Sequence, residues 1–252
     1  MNSLKERLDV VLAEKGLFPS REKAKAAIMA GIVYVDGIRA DKPGTPVSID
    51  SLFSLKENIC PYVSRGGMKL EKALNEFSVD IDGSICMDIG ASTGGFTDCL
   101  LQRGASHVYA VDVGYGQFDW KLRNDRRVTL MEKTNIRYFD AVEFREYFDI
   151  ITIDVSFISL RLVFPVAAAM IKSEGSIICL AKPQFEAGRR QVGKNGIVRD
   201  LEIHKEVIAN VIKYGEENGI FKHGVTASPI TGAKGNTEYL LIFKKNLDDI
   251  AD

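Results

Sequence analysis

The sequence predicts an α/β protein: a mostly parallel, doubly wound sheet preceded by a small α+β domain. Three observations predict it. From residue 84 onward, short apolar strand-like runs alternate with helical stretches, the pattern that calls for a parallel sheet. A glycine-rich turn, Gly90 to Gly95, follows the first of those runs. Before residue 61 the order is helix, helix, hairpin, which cannot belong to the same sheet. With 252 residues, 46% of them hydrophobic, the chain suffices for one ordinary core and a small satellite. The expected boundaries are a front domain over 1–60, a stiff connector over 61–67 (Pro61-Tyr62-Val63-Ser64 and then Arg65-Gly66-Gly67), a large domain over 68–246, and an acidic tail over 247–252.

Composition excludes several classes. Thirty-three Lys+Arg against 34 Asp+Glu give a net charge of −1, so any nucleic-acid contact must use a local basic patch. The longest apolar run, Ile150 to Ile171, is broken by Asp154, Arg161 and Pro165, and is not a membrane span. The first residues lack an apolar signal core, and no long cationic amphipathic helix is written in the sequence, which argues against membrane lysis. Cys60, Cys86, Cys99 and Cys179 form no C-x-x-C pair and read as reduced packing residues of a cytosolic protein. Three histidines, at 107, 204 and 223, cannot make a zinc site unaided, so no metal is expected.

In the front domain, Ser3-x-x-Glu6 spells a capping box. Leu4, Leu8, Val11 and Leu12 then share one helical face, and Gly16 can end that helix. A second helix is expected from Ser20 as N-cap to Gly31. Its small inner residues Ala24 and Ala27, with Ile28, permit close packing, and Arg21, Lys23 and Lys25 form a basic outer face. Ile32–Val35, Asp36-Gly37 and Ile38–Ala40 read as a hairpin, because Asp-Gly suits a type I′ turn. Val47–Leu55 offers further short strands. The pieces Arg7-Leu8-Asp9, Ser20-Arg21-x-x-Ala24 and Gly31-Ile32-Val33-x-Val35-x-Gly37 resemble the alpha-L RNA-binding fold first known from small-subunit ribosomal protein S-four. That resemblance implies phosphate contacts through Arg7, Arg21, Lys23 and Lys25.

In the large domain, Ile85–Ile89 reads as a buried strand, Gly90–Gly95 as a tight turn, and Phe96–Gln102 as the start of a helix. His107–Val111 is the next strand and ends in Asp112, 24 residues after Asp88. Glycines let a backbone approach a ligand, and an acid ending the second strand can accept from ribose hydroxyls. A dinucleotide site would want G-x-G-x-x-G, but position 92 is Ser; a P-loop would want Lys where Phe96 stands. Gly90-x-Ser92-x-Gly94 also spells a serine-hydrolase elbow, yet it follows the first strand and no oxyanion segment precedes it. S-adenosylmethionine, which carries no phosphate, fits best. Its contacts are expected from Asp88, Gly90, Ala91, Ser92, Thr93, Gly94, Gly95, Phe96, Asp112, Val113 and Asp154, with Asn135 at the adenine edge.

Farther on, Phe148–Asp154 reads as strand four, 159–171 as a helix, and Ser176–Ala181 as strand five followed by Lys182-Pro183. Ile203–Asn218 suits a helix; Phe221–Ser228 and Glu238–Phe243 suit a closing hairpin, completing a methyltransferase-type sheet of seven strands. Asp154 is followed by Val155-Ser156-Phe157, where amino-group methylation would suit Asn/Asp-Pro-Pro-Tyr. Cytosine C5 methylation would need a thiol nucleophile, and Cys179 lies inside its strand. Lysine and aspartate remain at the strand tips. A sugar hydroxyl must lose its proton to attack a sulfonium methyl, and a lysine can serve as base if burial and neighbouring cations depress its pKa. Lys69 is a candidate for such a cation, with Asp154 and Glu238 to orient the amines.

Lys69, Asp154, Lys182 and Glu238 resemble, position by position, the Lys-Asp-Lys-Glu tetrad of the FtsJ-like ribose 2′-O-methyltransferases, a resemblance that implies Lys182 as the leading base candidate, with Lys69 assisting and Asp154 and Glu238 orienting. Val63-Ser64-Arg65-Gly66-Gly67-x-Lys69-Leu70, Asp88-Ile89-Gly90 through Phe96-Thr97, Asp112–Gln117, Lys182-Pro183-Gln184-Phe185-Glu186 and Asn236-Thr237-Glu238 are similar to the TlyA, or haemolysin A-like, rRNA methyltransferases. The resemblance covers about residues 4–244 and implies S-adenosylmethionine-dependent 2′-O-methylation of cytidine in bacterial rRNA, on ribosomal subunits or assembly intermediates in the cytoplasm. Arg65 and the basic loop with Arg189, Arg190 and Lys194 are expected to meet RNA as well.

Overall fold

The computed structural model describes residues 5–55, 60–145, 147–188, 190–232 and 235–245. The chain divides into two compact units, Met1–Ile59 and Cys60–Asp252.

In the first unit a short strand, β1 (Lys5–Arg7), leads into α1 (Leu8–Glu14). Here the capping-box expectation is corrected. Glu6 lies in β1, paired with Val47, and α1 starts one residue after Arg7, so sheet pairing overrides the local cap. Ser3 and Leu4 lie outside the described residues. α2 (Arg21–Ala30) begins where Ser20 Oγ accepts the Lys23 N–H at 3.3 Å and ends at Gly31, φ 75°. β2 (Val33–Val35) and β3 (Ile38–Arg39) form the expected hairpin, with Asp36 at φ 50° and Gly37 at φ 81° as a type I′ turn requires. β4 (Pro46–Ser48) pairs with β1, and β5 (Phe53–Leu55) with β2. Leu8, Val11 and Leu12 pack against Ala24, Ala27 and Ile28.

Asp9 is wholly buried beneath the helix pair. Its carboxylate accepts from Arg7 Nε at 3.0 Å and from Arg21 Nε at 2.8 Å. The Arg7 hydrogen bond, with Arg21 and both positive charges, outweighs burial and holds this carboxyl at about 2. Two of the four residues expected to be free for RNA are therefore also structural, each still half-exposed. Lys25 pairs with Glu22 at 2.7 Å, while Lys23 is exposed.

In the second unit α3 (Gly66–Glu76) precedes β6 (Ile85–Ile89), α4 (Gly95–Gln102), β7 (His107–Val111), α5 (Trp120–Arg123), β8 (Val128–Met131) and β9 (Phe148–Ile153). Then come α6 (Phe164–Met170), β10 (Ile171–Ala181), α7 (Pro183–Glu186), α8 (Leu201–Glu216), β11 (Phe221–Ala227) and β12 (Tyr239–Lys244). The seven strands run β11-β12-β10-β9-β6-β7-β8, with β12 antiparallel to both neighbours and the remaining pairs parallel. Alternate residues serve opposite faces: Cys86, Val108 and Ile178 pack with α3 and α4, while Met87, Ile151 and Cys179 pack with α6 and α8. Both faces are covered, which is why the strands read as apolar runs.

Three expectations are adjusted. Residues 61–67 are not a free connector: Tyr62 is buried in the α3–α4 core, and Val63 donates its N–H to Asp98 Oδ2 at 2.7 Å. The single helix over 159–171 is a 3₁₀ turn at Leu160–Leu162 followed by α6, which Pro165 can enter only in its first turn. β10 begins at Ile171, five residues early, with a register break before Ser176. The tail 247–252 lies outside the described residues. No helix among the described residues is long and apolar enough to cross a membrane.

Because pairing depresses Asp9, its contribution to stability is present above the usual carboxylate range and lost only as pH falls through about 2. Asp9→Ala at neutral pH is expected to destabilise the first unit by about 1 kcal/mol or more, since it leaves two arginines without their acceptor. Denaturant unfolding followed in that unit checks it; an unchanged midpoint would show the pairing to be idle.

Candidate active site

The tips of β6, β7 and β9 lie side by side. Asp154 donates its N–H to the Ile89 carbonyl at 2.9 Å, and Gly90 donates to the Val111 carbonyl at 2.8 Å. Gly90 has φ 86°, and a Cβ there would stand 2.5 Å from the Asp154 carbonyl oxygen, so only glycine lets the turn lie against the β9 tip. Asp112 ties the turn to β7: its Oδ2 accepts from Ser92 N at 2.7 Å and its Oδ1 from Gly114 N at 2.6 Å.

Two cavities open at these tips. One, of about 710 Å³, is walled by apolar Ile89, Val111, Ile136 and Leu162 and carries Asp112 and Asn135 among its polar groups. The other, of about 520 Å³, is lined by the turn from Gly90 to Thr93, by Gly95 and Phe96, and by Arg65 and Lys69. Gly90, Ser92 and Asp154 belong to both. This is the crevice where strand order reverses about β6, the place where open α/β sheets bind ligands.

The four tetrad residues come together as two pairs. Lys69 Nζ lies 2.6 Å from Glu238 Oε2, both nearly buried. Lys182 Nζ lies 2.6 Å from Asp154 Oδ1 and donates to Ser156 Oγ at 3.0 Å. The ammonium is close to Asp154 Oδ1 but not aligned as a hydrogen bond, which leaves that buried oxygen without a directed donor. Lys69 and Asp154 line one cavity, and so does Gly232, where a Cβ would overlap the Glu238 carboxylate. Each pair thus reaches that cavity through one member, Lys69 or Asp154, while Lys182 and Glu238 stand behind the wall.

Other expected contacts divide. Ala91, Ser92, Thr93 and Phe96 line the smaller cavity; Val113 and Asn135 line the larger. Gly94 points away, because a Cβ there would strike Leu122. Asp88 does not reach either cavity wall. It is 1% exposed beneath the turn, its Oδ2 accepting from Thr97 Oγ1 at 2.7 Å and its Oδ1 from Thr152 Oγ1 at 2.9 Å. Burial pushes this carboxyl up to about 6, the nearby Asp154 charge adds to the rise, and the two hydroxyls oppose it. Arg65 is exposed at the smaller cavity, Arg190 and Lys194 are exposed on the loop between α7 and α8, and Arg189 lies outside the described residues. Cys179 is buried in β10, with its thiol pushed up by burial, far from the thiolate a nucleophile needs.

Sequence reasoning missed Ser156, Gly232 and Phe157. Ser156 stands two residues beyond Asp154, so its place after a strand tip was a usable signal. Phe157 gave none: it sits at φ 64°, 90% exposed on the rim of the larger cavity, against Phe185 at 4.8 Å. Glu186 accepts from Ser159 Oγ at 2.6 Å and from Leu160 N at 2.8 Å, fixing the loop that carries Ser156 and Phe157 to α7.

A glycine turn after the central strand, an acid on the next strand tip and β12 inserted antiparallel between β10 and β11 define a Rossmann-like methyltransferase domain. The chain belongs to the FtsJ-like methyltransferase family, whose profile matches residues 62–245. The S4 domain profile matches residues 6–51. Among relatives, the chain is 54% identical over 242 residues to YqxC, a candidate rRNA methyltransferase of Bacillus subtilis, covering 96% of this chain and 86% of that one. It is 43% identical over 243 residues to the 16S/23S rRNA (cytidine-2′-O)-methyltransferase TlyA of Mycobacterium tuberculosis, covering 96% and 91%. Among solved structures, a candidate hemolysin from Streptococcus thermophilus is 48% identical with a TM-score of 0.76, covering 96% of this chain and 89% of that one.

Asp88 supplies a pH test. Its folded pKa is raised, so the folded state binds more protons than the unfolded chain between about 4 and about 6, and stability falls as pH rises through that window. Two pKa units correspond to about 3 kcal/mol. Asp88→Asn is neutral at every pH and should lack this fall. Denaturant unfolding of both proteins across the window, without cofactor, reads it; parallel pH profiles would contradict the assignment.

Proposed function

We propose that this protein is an S-adenosylmethionine-dependent RNA methyltransferase that modifies a ribose 2′-hydroxyl, that of cytidine in ribosomal RNA. The observation that carries the reading is the meeting of Lys69–Glu238 and Lys182–Asp154 at one cavity beside the glycine turn. Buried ion pairs stabilise poorly, because the desolvation they cost rivals their attraction. Two of them at a cavity edge are better explained by chemistry than by folding.

The donor set suits the cofactor. The larger cavity pairs apolar walls, which can sandwich an adenine ring, with Asp112 for the ribose hydroxyls and Asn135 for the ring edge. Gly90 and Ser92 let main chain approach the methionine portion. Asp88 acts at one remove, holding the turn through Thr97 and β9 through Thr152. When bound, S-adenosylmethionine supplies a methyl group on cationic sulfur that leaves it as a neutral thioether.

The hydroxyl that takes the methyl must give up its proton, and Lys182 is the candidate to receive it. Asp154 and Ser156 fix where that amine points. Lys69, held by Glu238, adds positive charge at the cavity wall, where it favours an oxygen that is losing a proton. The front unit supports RNA as substrate through its S4 match and its exposed Lys23. The relatives' names supply the ribosomal target and the cytidine. Such an enzyme works in the cytoplasm on ribosomal subunits or their assembly intermediates.

Lys182→Ala is expected to lower methyl transfer to rRNA about 1,000-fold, the scale of a lost general base. S-adenosylmethionine should still raise the variant's melting temperature. Lys69→Ala and Glu238→Gln should each lower the rate in the same way. Cys179→Ser should keep its activity; loss there with Lys182→Ala active would point to a thiol mechanism instead.

A further inference from the structure

The loop between α7 and α8 is basic and exposed at Arg190, Lys194 and Arg199, yet two side chains pin it to the segment that bears Glu238. Asn236, 2% exposed, accepts from Val198 N at 3.1 Å through Oδ1 and donates to the Gly196 carbonyl at 2.9 Å through Nδ2, gripping the main chain on both sides of Ile197. His204, also buried, donates from Nε2 to the Val198 carbonyl at 3.0 Å. Its Nδ1 then accepts, in the neutral ring, from the Tyr239 hydroxyl at 2.8 Å. The two fasteners reach positions 236 and 239, which flank Glu238. The same segment is closed on its other side, where Gly232 N donates to the Asn236 carbonyl at 2.8 Å and Ser228 N to the Glu238 carbonyl at 2.8 Å.

Loops ordinarily run free over the surface, and a buried asparagine with both ends of its amide engaged is costly to break. An anchored strap carrying three cations presents charge at a fixed place, not as a flexible cover. Asn195 at φ 73° and Gly196 at φ 74° turn the chain back toward Asn236, so the strap's shape depends on that amide.

We propose that Asn236 is a positioning residue: its amide holds the cationic strap 190–199 in register with the Lys69–Glu238 pair, so that phosphates gripped by the strap bring the target ribose to the amines. This rests on the reading of the protein as an RNA methyltransferase. It assigns Asn236 no contact with substrate; the residue acts through Gly196, Val198 and the cations between and beside them.

The test uses full-length Asn236→Ala and Asn236→Asp, the latter keeping size but facing the Gly196 carbonyl with an acceptor. Each should raise KM for rRNA about tenfold, the scale of one lost buried hydrogen bond pair, and flatten the salt dependence of binding. Affinity for S-adenosylmethionine should change less than about twofold. Lys194→Ala with Arg199→Ala should raise KM in the parent protein and add little in the Asn236→Ala background, because a loosened strap no longer delivers those charges. Additive effects, or an unchanged KM in Asn236→Ala, would overturn the proposal. Hydrogen exchange at the Val198 amide keeps it separable from the functional reading. Faster exchange in Asn236→Ala with a parent protein inert toward RNA would sink the enzyme assignment; unchanged exchange would sink the anchoring.

Discussion

Everything at the site depends on how closely the turn after β6 lies against the tip of β9. The parallel pairing of the two strands continues past their ends, through the Asp154 N–H to the Ile89 carbonyl, and Gly90 fits only because it lacks a Cβ. That approach puts Gly90, Ser92 and Asp154 on the shared wall of two cavities, one with apolar walls and the Asp112 carboxylate, the other lined by Arg65 and Lys69. A side chain at position 90 would push the glycine turn away from the tip of β9 and from Asp154. Beneath it, Asp88 with Thr97 and Thr152 braces the junction from the buried side.

The electrostatic design follows from the topology. β10 delivers Lys182 next to Asp154 at the tip of β9, whereas α3 carries Lys69 and the residue just before β12 is its partner Glu238. Each amine meets its own carboxylate, which offsets its charge where water is largely excluded. Gly232 leaves room for the Glu238 carboxylate, another place where a missing side chain is the structural requirement.

Much of this was legible in the sequence because local chemistry and tertiary demand agreed. The apolar runs of β6, β7 and β9, the turn glycines and Asp112 all obey rules that act over a few residues. Ser20, Gly31 and Asp36-Gly37 in the first unit do so too. Where the two disagreed, tertiary structure won. Ser3-x-x-Glu6 spelled a helix start, but β4 recruited Glu6 into a strand. Asp88 looked like a cofactor ligand from its place before the turn, and only burial shows that its oxygens already serve two threonines. Arg7 and Arg21 read as phosphate contacts, but the buried Asp9 claims part of each. The pairing of Lys69 with Glu238 spans 169 positions and leaves no trace in spacing; its members were found together only through a family pattern.

If these amines and carboxylates take the proton from a sugar oxygen, the methyl group must arrive on that oxygen. Incubating ribosomal RNA with the protein and isotope-labelled S-adenosylmethionine, then digesting to nucleosides for mass spectrometry, tests it most directly. Label is expected on the ribose of cytidine, in a nucleoside whose base fragment is unlabelled. Label on the base, or none on the RNA, would contradict it.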